Sequence, residues 1–135
     1  MKKYISAAAL FLFIMILVSC EKSASTSIEG KWNVISDSVI SSGVTISYTV
    51  YKGTSGDYFL FNNGVLSTKE SSQLDTFSYQ LISNDTIQLA LSGALIYSVP
   101  ETGPYTFKGN EVRIDLSPVS NNPGYSYERI ITLER

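Results

Sequence analysis

The chain has 135 residues, with 10 Lys and Arg, 12 Asp and Glu and no histidine. Lacking histidine, it cannot use imidazole for acid–base catalysis or for ordinary zinc ligation, and its single cysteine, Cys20, excludes an internal disulfide. A weakly acidic surface with no basic run also argues against nucleic acid as a partner.

Lys2 and Lys3 open the chain, and no charged residue follows until Glu21. Ile5 to Val18 is apolar except for Ser6. That run has the length of a signal-peptide core and falls short of the roughly 20 residues a spanning helix needs. It ends in Leu17-Val18-Ser19-Cys20, which resembles the lipobox of bacterial lipoproteins. The resemblance implies a signal-peptide helix in residues 1–19, cleavage after Ser19 and lipidation of Cys20 by palmitate-type acyl chains. It also implies a cell-envelope protein whose first partner is the membrane. Two or more acyl chains anchor stably where one is marginal, at about 0.8 kcal/mol per buried methylene. Glu21 stands where inner-membrane lipoproteins carry aspartate, which implies the outer membrane as destination. Whether the domain faces the periplasm or the outside is left open.

Glu21 to Ser27 is small and polar, so residues 20–27 read as a lipidated flexible tether. Residues 28–135 remain for one modest domain. Without Lys2 and Lys3 the mature chain has 8 basic against 12 acidic residues. Short segments rich in Tyr, Phe, Ile, Val and Thr then alternate with Gly, Pro, Asn, Asp and Ser. In order, strands are expected at Lys31–Ile40, Val44–Lys52, Asp57–Asn62 and Val65–Glu70. They continue at Thr76–Ile82, Thr86–Leu91, Tyr105–Lys108, Glu111–Leu116 and Tyr125–Glu134, with Ala94–Val99 as a further short strand. Asn62-Asn63-Gly64 suits a tight hairpin, because Asn and Gly tolerate positive φ. All four prolines, at 100, 104, 118 and 123, are placed between strands. The expected fold is all-β, an antiparallel meander of 8–10 strands that closes as a barrel or folds as an open β-sandwich, since free edges invite aggregation.

Alternation assigns faces. Phe77, Tyr79 and Leu81 share one side of their strand, as do Ile87, Leu89 and Leu91, and Val112, Ile114 and Leu116. On the last strand Tyr125, Tyr127, Arg129, Ile131 and Leu133 align. Arg129 therefore sits on an apolar face and needs a partner.

Gly30-Lys31-Trp32 at the domain start resembles the Gly-x-Trp pattern of lipocalins, and Arg129 matches the arginine of their last strand. The resemblance spans Ile28–Arg135 and implies that Trp32 packs under Arg129 to close the barrel. It implies a non-enzymatic domain that binds a small hydrophobic ligand or an envelope protein. Phe77, Tyr79, Leu89, Tyr105, Phe107, Ile114 and Tyr127 are then the candidate cavity lining. The chain lacks the C-terminal helix of larger lipocalins, so a structural or adhesive β-sandwich without a cavity is the alternative. The aspartates do not cluster in sequence; no catalytic residue, cofactor or metal is expected, and a monomer is. Asp37-Ser38-Val39 and Asp85-Thr86-Ile87 resemble O-glycosylation acceptors of some Gram-negative anaerobes, although an Asp-Thr pair at a strand start has a simpler explanation.

Overall fold

The computed structural model describes residues 27–91, 99–119, 124 and 126–135. The leader, Cys20, most of the tether and all but Val99 of the segment read as a strand at Ala94–Val99 lie outside the described residues. Nine strands are present: β1 (Gly30–Ser42), β2 (Ile46–Lys52), β3 (Tyr58–Asn62), β4 (Val65–Glu70), β5 (Gln73–Ser83), β6 (Thr86–Leu91), β7 (Glu101–Lys108), β8 (Glu111–Pro118) and β9 (Ser126–Glu134). No helix occurs among the described residues.

All pairings are antiparallel, and the sheet runs β2-β1-β3-β4-β5-β6-β7-β8-β9. It closes because β9 also pairs with β1, from Asn33↔Glu134 to Ser42↔Ser126. Eight strands thus form a closed barrel, not an open sandwich, and β2 is an addition to it. β3 takes the first part of one β1 edge (Gly30↔Phe61 to Asn33↔Tyr58), and β2 takes the rest of that edge (Ser36↔Lys52 to Ser42↔Ile46). β1 therefore has three neighbours on two edges.

A bulge makes this arrangement work. The β1–β9 register shifts between Val34 and Ser36, and an extra residue reverses which side chains point inward. Trp32 and Val34 are buried before the bulge, and Asp37 is buried after it. Opposite the bulge the chain turns through residues 53–57. Gly53 N–H donates to the Ile35 carbonyl at 3.0 Å, and a Cβ at Gly53 would lie 1.8 Å from the Val34 carbonyl oxygen. Asp57, 2% exposed, ties this turn down. Its carboxylate accepts from Tyr51 Oη (2.5 Å), Thr54 N–H (2.6 Å), Thr54 Oγ1 (2.7 Å) and Ser71 N–H (2.8 Å). Those donors, the Tyr51 hydroxyl first, hold its carboxyl below the usual carboxylate range.

The hairpin at Asn63-Gly64 adopts the expected geometry, with φ of 48° and 81°. Two expectations need correction. Leu81 is 48% exposed, because the β5–β6 register shifts between Leu81 and Ser83 and turns this end of the strand out of the core. Pro104 lies within β7, opposite Thr86, and Pro118 ends β8, opposite Glu101, so neither stands in a connection. β7 begins at Glu101, and its pairing with β8 is interrupted between Thr102↔Ser117 and Tyr105↔Ile114. Lacking an N–H, Pro104 falls where no ladder bond to β8 is made.

Beside it, a Cβ on Gly103 would stand 1.7 Å from the Asp115 carbonyl oxygen. Gly103→Ala must push β7 and β8 apart at that point. It is expected to cost about 2–4 kcal/mol of stability, measured by urea unfolding.

Candidate functional site

The barrel has two unlike ends. The floor end holds the short turns β3–β4, β5–β6 and β7–β8, the start of β1 and the end of β9. The mouth end holds the β1–β2 hairpin, the β4–β5 turn, the ends of β6 and β8 and the starts of β7 and β9.

The floor is packed. Trp32, Phe59, Phe61, Leu66, Ile87, Val112, Ile114, Ile131 and Leu133 are all fully buried. Trp32 stacks on Phe107 with ring centroids 6.1 Å apart, and Tyr105 meets Phe107 edge-on at 5.7 Å. Phe61 meets Tyr79 edge-on at 5.3 Å. The Trp32 indole N–H donates to the Ile28 carbonyl at 2.7 Å, which draws the chain before β1 across the base. The arginine lying over Trp32 is Arg135, with its guanidinium carbon 4.1 Å from the ring centroid. The lipocalin resemblance assigned that place to Arg129, and the structure corrects it. Arg129 lies near the mouth, three residues after β9 begins at Ser126 and six before Arg135, whereas Trp32 sits at the floor under Arg135. Arg135 also donates to the carbonyls of Ser27 (3.1 Å) and Glu29, while the Glu29 carboxylate accepts from the Tyr79 hydroxyl. Burial and that hydrogen bond push the Tyr79 hydroxyl up to about 12.

The expected cavity residues divide accordingly. Tyr79, Leu89, Tyr105 and Ile114 are buried in the floor, and Phe107 packs against it. Phe77 and Tyr127 belong to the level above, where the barrel interior becomes polar.

Arg129 is the centre of that level, with its side chain 14% exposed. Its Nε donates to both Asp37 carboxylate oxygens at 3.0 and 2.9 Å, and Nη2 reaches Oδ2 at 2.5 Å. On its other side Nη1 lies 3.8 Å from Glu101 Oε2, and its guanidinium carbon is 5.8 Å from the Phe77 ring centroid. Burial works against the guanidinium charge, but the hydrogen bonds and attraction of Asp37 outweigh it and raise the Arg129 pKa. Tyr127 is pushed up to about 12 by burial and by the neighbouring charge of Glu101.

Glu70, at the end of β4, completes the group. Its Oε1 is buried and has no hydrogen-bond partner. Burial first, and the negative charge of Asp37 second, push its carboxyl up to about 7, against the opposing pull of Arg129. Two carboxylates thus flank one guanidinium, and a third carboxyl within electrostatic reach of it, that of Glu70, is the one pushed up to about 7. Among the described residues, no three His, Cys, Asp or Glu side chains are grouped to hold a metal ion. Half-open hollows also lie outside the barrel interior, two of which border β5 and β1. One, of about 340 Å³, is lined by Gly64, Ser78, Tyr79, Gln80, Gln88 and Ala90. The other, of about 400 Å³, lies between the start of β1 and the turn at residues 53–57.

The sequence pointed to Arg129 as a charge in need of a partner and missed which one. Asp37 is out of phase with Trp32 and reads as facing solvent until the bulge is known. Glu70 and Glu101 carry no local signal, because each sits at a strand end where a carboxylate is ordinary. Compared with protein-family models, curated proteins and solved structures, the chain matches none.

Arg129→Leu leaves Asp37 as a buried charge without its partner, and Asp37→Leu does the converse. Each is expected to cost about 3 kcal/mol. The double replacement should cost less than either, a coupling readable by urea unfolding of all four chains. Glu70 gives a separate pH signature. Its folded pKa, about 7, lies above its ordinary value of 4.5, so ionisation is harder in the folded state. Stability is therefore full below about pH 4.5 and declines as pH rises through 7. Glu70→Gln should be more stable than the unaltered chain at pH 8, by on the order of 1 kcal/mol after solvent screening. The two should match at pH 4 in thermal melts.

Proposed function

We propose that the chain is a lipid-anchored envelope protein whose barrel is a non-enzymatic, lipocalin-like binding domain. One observation carries the binding part: a closed eight-strand barrel with a packed apolar floor and, above it, a charged interior level containing a buried carboxylate oxygen without a partner. Ligand sites are concave and mostly apolar, with a few convergent polar groups that fix orientation. Phe77 and Leu116 offer apolar contact at this level, and Asp37, Glu70, Glu101 and Arg129 offer polar contact. This combination favours a small amphiphile over a purely apolar molecule. Its apolar part would rest on the floor residues, and a hydrogen-bond donor on it would meet Glu70. The packing of Trp32, Phe59, Phe61 and Leu66 leaves the base of the barrel to side chains, so the ligand would be held near the mouth.

The anchoring part rests on the lipobox Leu17-Val18-Ser19-Cys20 after the charged start and apolar run. Tethered in this way, the domain would meet its ligand or a partner at a membrane surface, with the outer membrane favoured by Glu21.

Both parts are tested on the full chain. Radiolabelled palmitate should enter the unaltered chain and not Cys20→Ser, and equal labelling would refute the anchor. Native mass spectrometry of the chain released from detergent should show a small molecule that is retained by the unaltered protein. It should be lost from Glu70→Lys, which fills the polar level with a competing cation. A bare polypeptide mass in both would refute the binding role.

A further inference from the structure

β2 is held in the fold by one edge alone. Among the described residues, no strand pairs with its other edge. Six of its seven residues are exposed, and Tyr51 alone packs toward the core. Yet its sequence, Ile46-Ser47-Tyr48-Thr49-Val50-Tyr51-Lys52, is that of a buried strand, alternating β-branched and aromatic residues with small hydroxyl residues. On the outer face Ile46 is 80% exposed, Tyr48 66% and Val50 40%, and Val44 in the hairpin tip is fully exposed. Natural sheets blunt free edges with charge, proline or a bulge. From Val44 to Tyr51 there is no charged residue and no proline, and the β1–β2 register is regular. The free edge is therefore unguarded from Ile46 to Tyr51, with Lys52 at its end.

We infer that β2 is the interface through which two copies of this chain associate, by antiparallel pairing of β2 with β2 of a second copy about a two-fold axis through Tyr48. The argument for a second copy lies in the parity and charge of the strand. A two-fold axis normal to the sheet keeps outer side chains outer, so opposed residues must share a face. With Tyr48 opposite its twin, each Val50 faces Ile46 of the other copy. On the inner face each Thr49 faces Ser47, and Tyr51 faces Thr45. Lys52, the single charge of the strand, falls opposite Val44 and far from its own twin, so no like charges meet. The strand is self-complementary in shape class and in charge, as an isologous interface requires.

Size sets the strength. Seven residues span about 23 Å of edge, and because outer side chains stay outer, edge pairing covers the backbone rim and only the flanks of the side chains. The area covered falls below the roughly 1,200 Å² of a stable specific interface. A weak, reversible dimer is expected, with dissociation in the micromolar range or above. The single-copy state expected from the sequence is the dissociated form.

Sedimentation of the full detergent-solubilised chain over a concentration series should show a monomer–dimer equilibrium. Tyr48→Lys, which sets two charges against each other on the axis, should weaken association at least about tenfold. Because β2 adds little to the core, the same variant should melt within a few degrees of the unaltered chain, which separates loss of the interface from loss of the fold. Tyr48→Cys provides the geometric test, since only a residue on the axis meets its own twin within disulfide reach. Under mild oxidation it should form covalent dimer, whereas Thr106→Cys on the outer wall of β7 should stay at the background set by the unaltered chain and its lone Cys20. A chain that remains monomeric throughout overturns the inference. So does a dimer indifferent to Tyr48→Lys, equal cross-linking at positions 48 and 106, or an edge occupied by a different polypeptide.

Discussion

The bulge at Val34–Ser36 is the constraint on which the rest of this barrel depends. β1 must line a dry floor with its first half and a polar mouth with its second, and alternation alone cannot do both with this sequence. With strict alternation the inward row after Trp32 and Val34 would be Ser36, Ser38 and Ile40. Asp37 would then face solvent, and Arg129 would be left as a buried charge without a partner, at a cost of several kcal/mol. One extra residue turns Asp37 inward, where it accepts from Nε and Nη2 of the guanidinium. The same irregularity lets β1 pair first with β3 and then with β2 on one edge while β9 occupies the other.

Closure at the floor follows a different logic. Buried rings and a larger number of aliphatic side chains fill the floor, and the indole N–H of Trp32 is satisfied locally by Ile28. Arg135 caps the indole from outside, and its hydrogen bonds to Ser27 and Glu29 fasten the chain entering β1 to the chain leaving β9. The charge on Arg135 stays hydrated. It can therefore cover an aromatic face without the desolvation that Arg129 bears, and Arg129 accordingly needs a carboxylate.

These two ends give the barrel a polarity along its axis that bears on what it can hold. A uniformly apolar interior would favour any hydrophobic molecule of the right size. Here the apolar residues are largely spent on one another, and the remaining level carries one cation among three carboxyls, with Glu70 poised between charge states near pH 7. Any molecule bound there must answer that polarity. In β2, by contrast, Ile46, Tyr48 and Val50 stay exposed among the described residues.

What the sequence determined by itself was the all-β class, the approximate positions of most strands, the Asn63-Gly64 hairpin and the inward placing of Arg129. These depend on local rules: period-two alternation, the positive φ that Asn and Gly accept, and the rarity of a charge on an apolar face. Tertiary structure decided the rest. Closure, as opposed to two open layers, required β9 to return to β1 across nearly the whole chain. The partner of Arg129 depended on a bulge that leaves no composition signal, because Ile35 is as ordinary in a strand as its neighbours. The arginine over Trp32 was decided by distance along the barrel axis, since two positions on one face of β9 can serve opposite ends of the molecule. Gly103 and Pro104 read as a connection by residue type, yet they lie inside β7, because a backbone approach of 1.7 Å to a would-be Cβ is visible only when both strands are in place. Local chemistry specifies what each segment tends to become, and only packing specifies which segments meet.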